Sequence, residues 1–271
     1  MKAPKLKIKD TGAGRPLVML HGWSCSGVFF AQQMTAMVNE ARCIVPDLPG
    51  HGETGGACPL TIEAAADDLH RYLIDQDIED AILCGWSMGA LVAFSLIERH
   101  GAGRISAVVS IDMSPKVLNS GDWPNGTLNG LNDEGNQHFL NVMIADWPRL
   151  PPLIASRLYA ADGDTPAELI AFARDEIRKA DPVLLQPMWR SLTEQDFRPL
   201  LQKFPVPLHL VAGVQSQLYG PGVQAWHAQN VPDFTLHPFA NSGHAPHLEE
   251  PDAFNKLLSA VLRDTPTAQK G

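Results

Sequence analysis

Residues 81–89 read Ala81-Ile82-Leu83-Cys84-Gly85-Trp86-Ser87-Met88-Gly89. The first four are a continuous apolar run, the signature of a strand buried on both faces of a parallel sheet. The last five fit Gly-x-Ser-x-Gly, the nucleophile elbow, in which a serine is held on a sharp turn between a strand and a helix. A helix-length segment, 90–100, follows and stops at Gly101. Strand, turn and helix are the context the motif requires. Glycine is needed two residues either side of the serine because side chains there would collide. Ser87 is then expected at the carboxyl end of a strand, over the first turn of a helix. The alternative is a glycine-rich strand-to-helix turn with no chemistry.

Working outward from this stretch, the chain of 271 residues has room for one large α/β domain with an insertion, or for two small domains. Hydrophobic residues make up 45% and charged residues 19%, which fits a folded globular protein and argues against extensive disorder. A net charge of -9 without any long basic run argues against a nucleic-acid partner. No apolar run approaches the roughly 20 residues that span a bilayer. Residues 1–10 mix lysine with apolar residues and lack a signal-peptide core. The four cysteines, Cys25, Cys43, Cys58 and Cys84, have no metal-type spacing. No metal or cofactor, no membrane and a reduced, cytoplasmic setting are therefore expected.

The remaining strands are expected at 6–9 (an edge strand), 16–20, 43–46, 107–111, 206–213 and 234–238. Helices are expected at 28–39, at 61–75 with Thr61 as N-cap, and at 251–263 with Pro251 in the first turn. Residues 264–271 read as a polar tail. Between 115 and 195 the strand–helix alternation stops. Helical segments are expected there at 136–145, 150–161, 166–179 and 182–192, punctuated by Trp-Pro, Pro-Pro and Asp-Pro.

Three motifs occur in order: His21-Gly22-Trp23 after the second strand, Asp47-Leu48-Pro49-Gly50-His51-Gly52 after the third, and the serine elbow after the fourth. In this order they resemble the α/β-hydrolase superfamily. The resemblance implies an α/β-hydrolase fold: a mostly parallel central sheet flanked by helices, the core formed by 1–114 and 196–271, and a helical cap at 115–195. It also implies an oxyanion hole made by the backbone N–H groups of Trp23 and Met88. His21 is expected to brace its loop, and Asp47 to anchor its own.

A serine hydroxyl needs a base within reach, and the base needs an orienting acid. Among ten histidines, His244 is favoured because it follows the last strand within Ser242-Gly243-His244; His247 is its competitor. Most of the superfamily carries the acid in the loop after the strand ending at Gly213, as Gly-x-x-Asp. Here that position is Ser216, and no carboxylate follows until Asp233. Some branches place the acid one strand earlier, where this chain has Asp112. The order Ser87, Asp112, His244 keeps the superfamily's sequence of roles. On this reading Asp112→Asn cripples turnover and Ser216→Ala barely matters, since a hydroxyl cannot stabilise the imidazolium.

Within the superfamily the chain resembles the serine carboxylesterases that cleave pimeloyl-carrier-protein methyl ester. It shares His-Gly-Trp, Gly-Trp-Ser-x-Gly before Leu91-Val92-Ala93, Ser114-Pro115 before Asp122-Trp123-Pro124, and a cap of similar length. That family's acid is of the later-strand type, which this chain lacks. The resemblance implies a serine hydrolase cleaving the ester or thioester of a small acyl substrate. Acyl transfer, C–C hydrolysis or perhydrolysis on the same triad, or a ligand receptor without turnover, are the alternatives. Trp23, Trp86 and Trp123 are candidates for the acyl pocket. An acyl-carrier protein could dock on cap residues Arg149, Arg157, Arg174, Arg178, Lys179 and Arg190; the alternative is a solvated surface.

Overall fold

A computed structural model describes residues 6–56, 59–162 and 165–267. Cys58, residues 1–5 of the N-terminal stretch and residues 268–271 of the tail lie outside the described residues. The described strands form one seven-stranded sheet in the order β1-β3-β2-β4-β5-β6-β7. They are β1 (Lys7–Thr11), β2 (Pro16–Leu20), β3 (Arg42–Asp47), β4 (Ala81–Trp86), β5 (Ile105–Ile111), β6 (Leu208–Gly213) and β7 (Phe234–Phe239). β1 pairs antiparallel with β3 and all other pairs are parallel. β4 is buried along its whole length, as its apolar run requires, whereas the edge strand β1 is mostly exposed.

The chain passes from β2 sideways to β3, then returns past β2 to β4 and continues to β7. Right-handed crossovers then place the connecting helices α1 (Ala31–Met37) and α2 (Ile62–Asp75) on opposite faces. Packing agrees with this: α2 lies against α3 (Met88–His100), and α1 lies against α11 (Pro251–Asp264). The reversal of strand order leaves a crevice at the carboxyl ends of β2 and β4. Trp23 and Ser87 follow those two ends.

Local sequence explains the helix ends. Thr61 Oγ1 accepts the Ala64 N–H at 3.1 Å, and Leu69 and Leu73 form the buried stripe of α2. The segment expected as one helix at 28–39 is a 3-10 turn, Gly27–Phe30, running into α1. It stops at Met37, whose carbonyl accepts from both Glu40 and Ala41. Helix α9 (Pro221–Asn230) has no counterpart in the sequence reading, because only Val223 and His227 are buried and no apolar stripe marks it. Pro221 in its first turn was the available signal.

Between β5 and β6 the chain forms α4 (Asp133–Ala145), α5 (Leu150–Arg157), α6 (Ala167–Ile177) and α7 (Pro182–Glu194). The two ends of this insertion meet: the Phe197 N–H donates to the Pro115 carbonyl at 2.9 Å, and Lys116 bridges Asp196. A short helix, α8 (Arg198–Leu201), returns the chain to β6, and another, α10 (Pro246–Glu249), precedes α11. Among the described residues no helix is long and apolar enough to cross a membrane.

Candidate active site

Ser87 sits at φ 52°, ψ -118°, outside the regions an L-residue ordinarily occupies. The turn that holds it depends on its flanking glycines. A Cβ on Gly85 would lie 2.4 Å from the Ala90 nitrogen, and one on Gly89 would lie 2.1 Å from the Leu20 carbonyl oxygen. The Ser87 N–H is held by the Ile111 carbonyl at 3.1 Å, so the end of β5 braces the elbow.

Asp112 is the residue after that carbonyl. Its N–H donates to the Val211 carbonyl at 2.7 Å, and its φ of 42° turns the side chain off the strand path. The carboxylate accepts three donors: Gly213 N–H on Oδ1 at 3.3 Å, Ser216 Oγ on Oδ2 at 2.6 Å, and His244 Nδ1 on Oδ2 at 2.7 Å. Asp112 and His244 are both buried. An Nδ1–H held by a carboxylate leaves Nε2 as the basic nitrogen. Ser87 and His244 line one cavity, although no hydrogen bond joins their side chains here.

Ser216 therefore stands next to the acid position as a donor to the acid. Its hydroxyl oxygen also accepts the N–H groups of Leu218 and Tyr219, each at 3.2 Å, so it ties the loop after β6 to the carboxylate. The expectation that Ser216→Ala barely matters is revised accordingly: the change removes a bond to a buried charge. The loop signal was legible, since serine two or three residues before free amides commonly forms such a turn.

His247, the competing base, is fully buried with neither ring nitrogen hydrogen-bonded. It stacks on Phe30 and packs edge-on against Trp86, and burial, with His244 nearby, pushes its pKa down to about 3. It is a neutral packing residue. His21 donates from Nδ1 to the Gly22 carbonyl at 2.8 Å and accepts the Leu48 N–H on Nε2 at 2.9 Å, which braces two loops together. Burial lowers its pKa, consistent with the neutral tautomer those two bonds need. Asp47 accepts the N–H groups of Gly27 and Glu53, at 2.8 and 2.9 Å, and anchors its own loop.

Above Ser87 lies a cavity of about 200 Å³ with a largely apolar lining. Gly22, Trp23 and Trp86 contribute from the core, Phe139, Ile154, Leu158 and Trp189 from the insertion, and Arg157 from its exposed side. The N–H groups of Trp23 and Met88 have no acceptor among the described residues. Trp23 reaches into the insertion: its Nε1 donates to the Leu185 carbonyl at 3.1 Å, and its ring packs against Phe139, Trp147 and Trp189. Trp86 donates from Nε1 to the His244 carbonyl at 2.8 Å. Trp123 is corrected. It lies off the cavity, donates to the Lys116 carbonyl, and is packed between Trp226 and the Arg198 guanidinium. Its neighbours Asp122 and Arg198 form an ion pair that draws the indole to the outer seam of the insertion. Tyr219 was missed by sequence reading; it lines the cavity with its ring centroid 5.8 Å from that of His244. Among the described residues no group of three or more His, Cys, Asp or Glu side chains is placed to hold a metal ion.

A family model for the alpha/beta hydrolase family matches residues 17–257. The chain belongs to the alpha/beta hydrolase family. It is 31% identical over 256 residues to a pimeloyl-[acyl-carrier protein] methyl ester esterase of Aromatoleum aromaticum, covering 91% of this chain and 98% of the relative. A protein of the same name from Chromobacterium violaceum is 26% identical, covering 95% of this chain and 98% of the relative. Among solved structures, an esterase from Exiguobacterium antarcticum superposes with a TM-score of 0.88 at 22% identity, over 95% of both chains. A bromoperoxidase from Bacillus anthracis superposes with a TM-score of 0.88 at 24% identity, over 96% of this chain and 95% of that one. These two structural likenesses establish the alpha/beta hydrolase fold and no more.

Proposed function

We propose that this alpha/beta hydrolase is a carboxylic ester hydrolase that works through an acyl-enzyme on Ser87, with His244 as base and Asp112 as orienting acid. The observation that carries the reading is the buried Asp112 Oδ2–His244 Nδ1 bond of 2.7 Å beside a cavity that Ser87 and His244 both line. His244 Nε2 takes the Ser87 proton as Oγ bonds to the ester carbonyl carbon. The carbonyl π electrons move to oxygen, which the Trp23 and Met88 N–H groups hold. Collapse breaks the bond to the leaving alkoxide, and His244 returns the proton to it. Water then bonds to the acyl carbon as it gives a proton to the same nitrogen; collapse breaks the carbon–Oγ bond, His244 returns that proton to Ser87 Oγ, and the carboxylic acid leaves. Asp112 keeps its charge throughout and stabilises the imidazolium. Residues 115–195 act as the cap over a core of 1–114 and 196–271.

The substrate is a small acyl ester whose chain fills the apolar cavity. The curated relatives are named for a methyl ester carried on acyl-carrier protein, and a carrier that docks on the cap cations must present acidic groups to them. On the cap, Arg149, Arg174, Arg178 and Lys179 are engaged by Asp146, Asp175 and Glu176. Arg157 and Arg190 make no ion pair among the described residues, and Arg157 stands at the cavity. Arg157 is thus the cap cation best placed to meet an anionic carrier.

Hydrolysis of p-nitrophenyl esters of increasing acyl length tests the reading, with Ser87→Ala as the blank. Multiple turnover in the wild type and none in the variant is expected. A folded protein that releases at most one equivalent of nitrophenol would be a receptor, and acyl transfer to an added alcohol in preference to water would mark a transferase.

A further inference from the structure

The loop that carries His244 is fastened by a carboxylate that the ester chemistry does not use. Glu249, at the end of α10, accepts the Gly243 N–H on Oε2 at 2.7 Å and the Ala160 N–H on Oε1 at 2.7 Å. Gly243 immediately precedes His244. Ala160 belongs to the cap, just beyond α5, whose Ile154 and Arg157 line the cavity together with the adjoining Leu158. One side chain therefore joins the backbone of the base-bearing loop to the backbone of the cap. The two backbones touch at this seam: a Cβ on Gly243 would lie 2.2 Å from the Tyr159 carbonyl carbon.

Other bonds cross the same seam, and Gln215 carries them on to the histidine loop without a charge: its Oε1 accepts the Asp162 N–H at 3.2 Å, while its N–H and Nε2 donate to the Ser242 and Ala240 carbonyls at 3.0 and 3.3 Å. Gln217 Nε2 donates to the Tyr159 carbonyl at 3.0 Å, and the Ala161 N–H donates to the Gln215 carbonyl at 3.2 Å. Glu250 does the reverse. Its Oε2 accepts the Asn241 N–H and the Ser242 hydroxyl, at 3.2 and 2.6 Å, and does not reach the cap. Among the described residues only Glu249 holds both sides with one carboxylate.

We propose that Glu249 is a positioning residue that couples seating of the cap to placement of His244. This rests on His244 being the base of the proposed esterase. A carboxylate accepts through both oxygens, and bonds between a charged acceptor and backbone N–H groups are among the stronger ones. Once protonated, one oxygen becomes a donor facing an amide N–H, and the bridge fails at one end.

The surroundings set when this happens. Burial pushes the Glu249 pKa up to about 7, against the Ala160, Gly243 and Ala245 amides that lower it and with Glu250 raising it further. The charged or titratable groups around it are Tyr159 and Asp162 on the cap side of the same cleft, Glu250 at the head of α11, His247 on α10 and His244 on the loop; Gln215 adds no charge. The bridge is intact above about pH 7 and opens as pH falls through it. Turnover then loses the clamp on the base-bearing loop as pH falls.

The test compares the pH profile of kcat for a medium-chain p-nitrophenyl ester in the wild type, Glu249→Gln, Gln217→Ala and Ser87→Ala. The acid limb of the wild-type profile is expected to fall through about pH 7. In Glu249→Gln, kcat at pH 8 falls about tenfold, KM moves less than twofold, and the fall through about pH 7 is lost. Gln217→Ala, which cuts the seam elsewhere, keeps the wild-type limb. If Glu249→Gln does not fold, Glu249→Asp replaces it; its shorter side chain reaches one amide only, so kcat falls while the charge is kept. Wild-type kcat and limb in the glutamate variant, or equal losses in the glutamate and Gln217 variants, overturn the coupling. Turnover surviving in Ser87→Ala overturns the esterase reading itself, whereas an inert Ser87→Ala beside an unaltered glutamate variant overturns the coupling alone.

Discussion

Replacing Asp112 by asparagine separates the acid from every other explanation of the site. The carboxylate has three donors around it, on opposite oxygens: Gly213 N–H on Oδ1, and Ser216 Oγ and His244 Nδ1 on Oδ2. Asparagine offers one acceptor oxygen and one NH2 donor group. If the NH2 takes the Oδ2 place, His244 must present a bare Nδ1 and carry its proton on Nε2, where it cannot accept from Ser87. If the NH2 takes the Oδ1 place, it faces the Gly213 N–H, two donors buried together, and the imidazolium loses its counter-charge. Loss of the acid's charge and of the productive tautomer together costs on the order of 10⁴-fold in kcat, or about 5.4 kcal/mol of barrier. Ser216→Ala removes one hydrogen bond to a buried carboxylate, worth about 1.5–3 kcal/mol if fully expressed in the transition state, or about tenfold to a hundredfold in rate. The assay is steady-state hydrolysis of one p-nitrophenyl ester at saturation, with circular dichroism to check folding. Asp112→Asn within threefold of wild type, or Ser216→Ala slower than Asp112→Asn, would refute the assignment of Asp112 as the acid.

Three further outcomes are expected. Gly89→Ala drives a methyl group into the Leu20 carbonyl oxygen, 2.1 Å from the ideal Cβ position, so the β2–α3 contact must open. Urea unfolding should show a loss above about 4 kcal/mol, or no soluble protein. Buried His51 and His247, with pKa values lowered to about 3, and His227, lowered to about 4, stay neutral in the fold but bind protons when unfolded below their ordinary value. That favours unfolding as pH falls from about 6.5. Glu249, raised to about 7, binds its proton in the fold and opposes them with one proton. Buried His21, whose pKa is also lowered, adds to the histidines, so together they outnumber the single Glu249 proton and stability falls between about pH 6.5 and 5. A urea midpoint that is flat between pH 6.5 and 5 contradicts it. Finally, Arg157→Glu should raise KM at least tenfold for a carrier-borne methyl ester and leave kcat for a short p-nitrophenyl ester within about threefold; equal KM for the carrier-borne ester in both proteins removes Arg157 from the dock.

The strands were legible because burial on both faces demands uninterrupted apolar runs, as in Ala81-Ile82-Leu83-Cys84 and Pro16-Leu17-Val18-Met19-Leu20. Helix α9 was not, because it rests on the sheet edge beside β7 with only two buried residues and gives no periodic signal. The elbow was legible for a local reason: its turn is impossible with side chains at Gly85 and Gly89. Trp123 misled because an aromatic residue beside a proline reads the same whether it faces a pocket or a seam; here the Asp122–Arg198 ion pair decides its direction.

By itself the sequence determined whatever depends on neighbours along the chain: the parallel strands, the strained serine turn and the histidine loop. It left open which residue orients His244, since Asp112 and Ser216 stand at the ends of adjacent strands and either offers an oxygen. Which of the two hydrogen-bonds to His244 is a matter of tertiary structure alone. Strand order sets β5 between β4 and β6, and the chain brings together residues 132 positions apart in the Asp112–His244 pair and 104 apart in the Asp112–Ser216 pair. Those separations place the carboxylate between serine and histidine and turn Ser216 into its donor. Local sequence carries no record of that distance, because it is fixed by the packing of strands that share no residues.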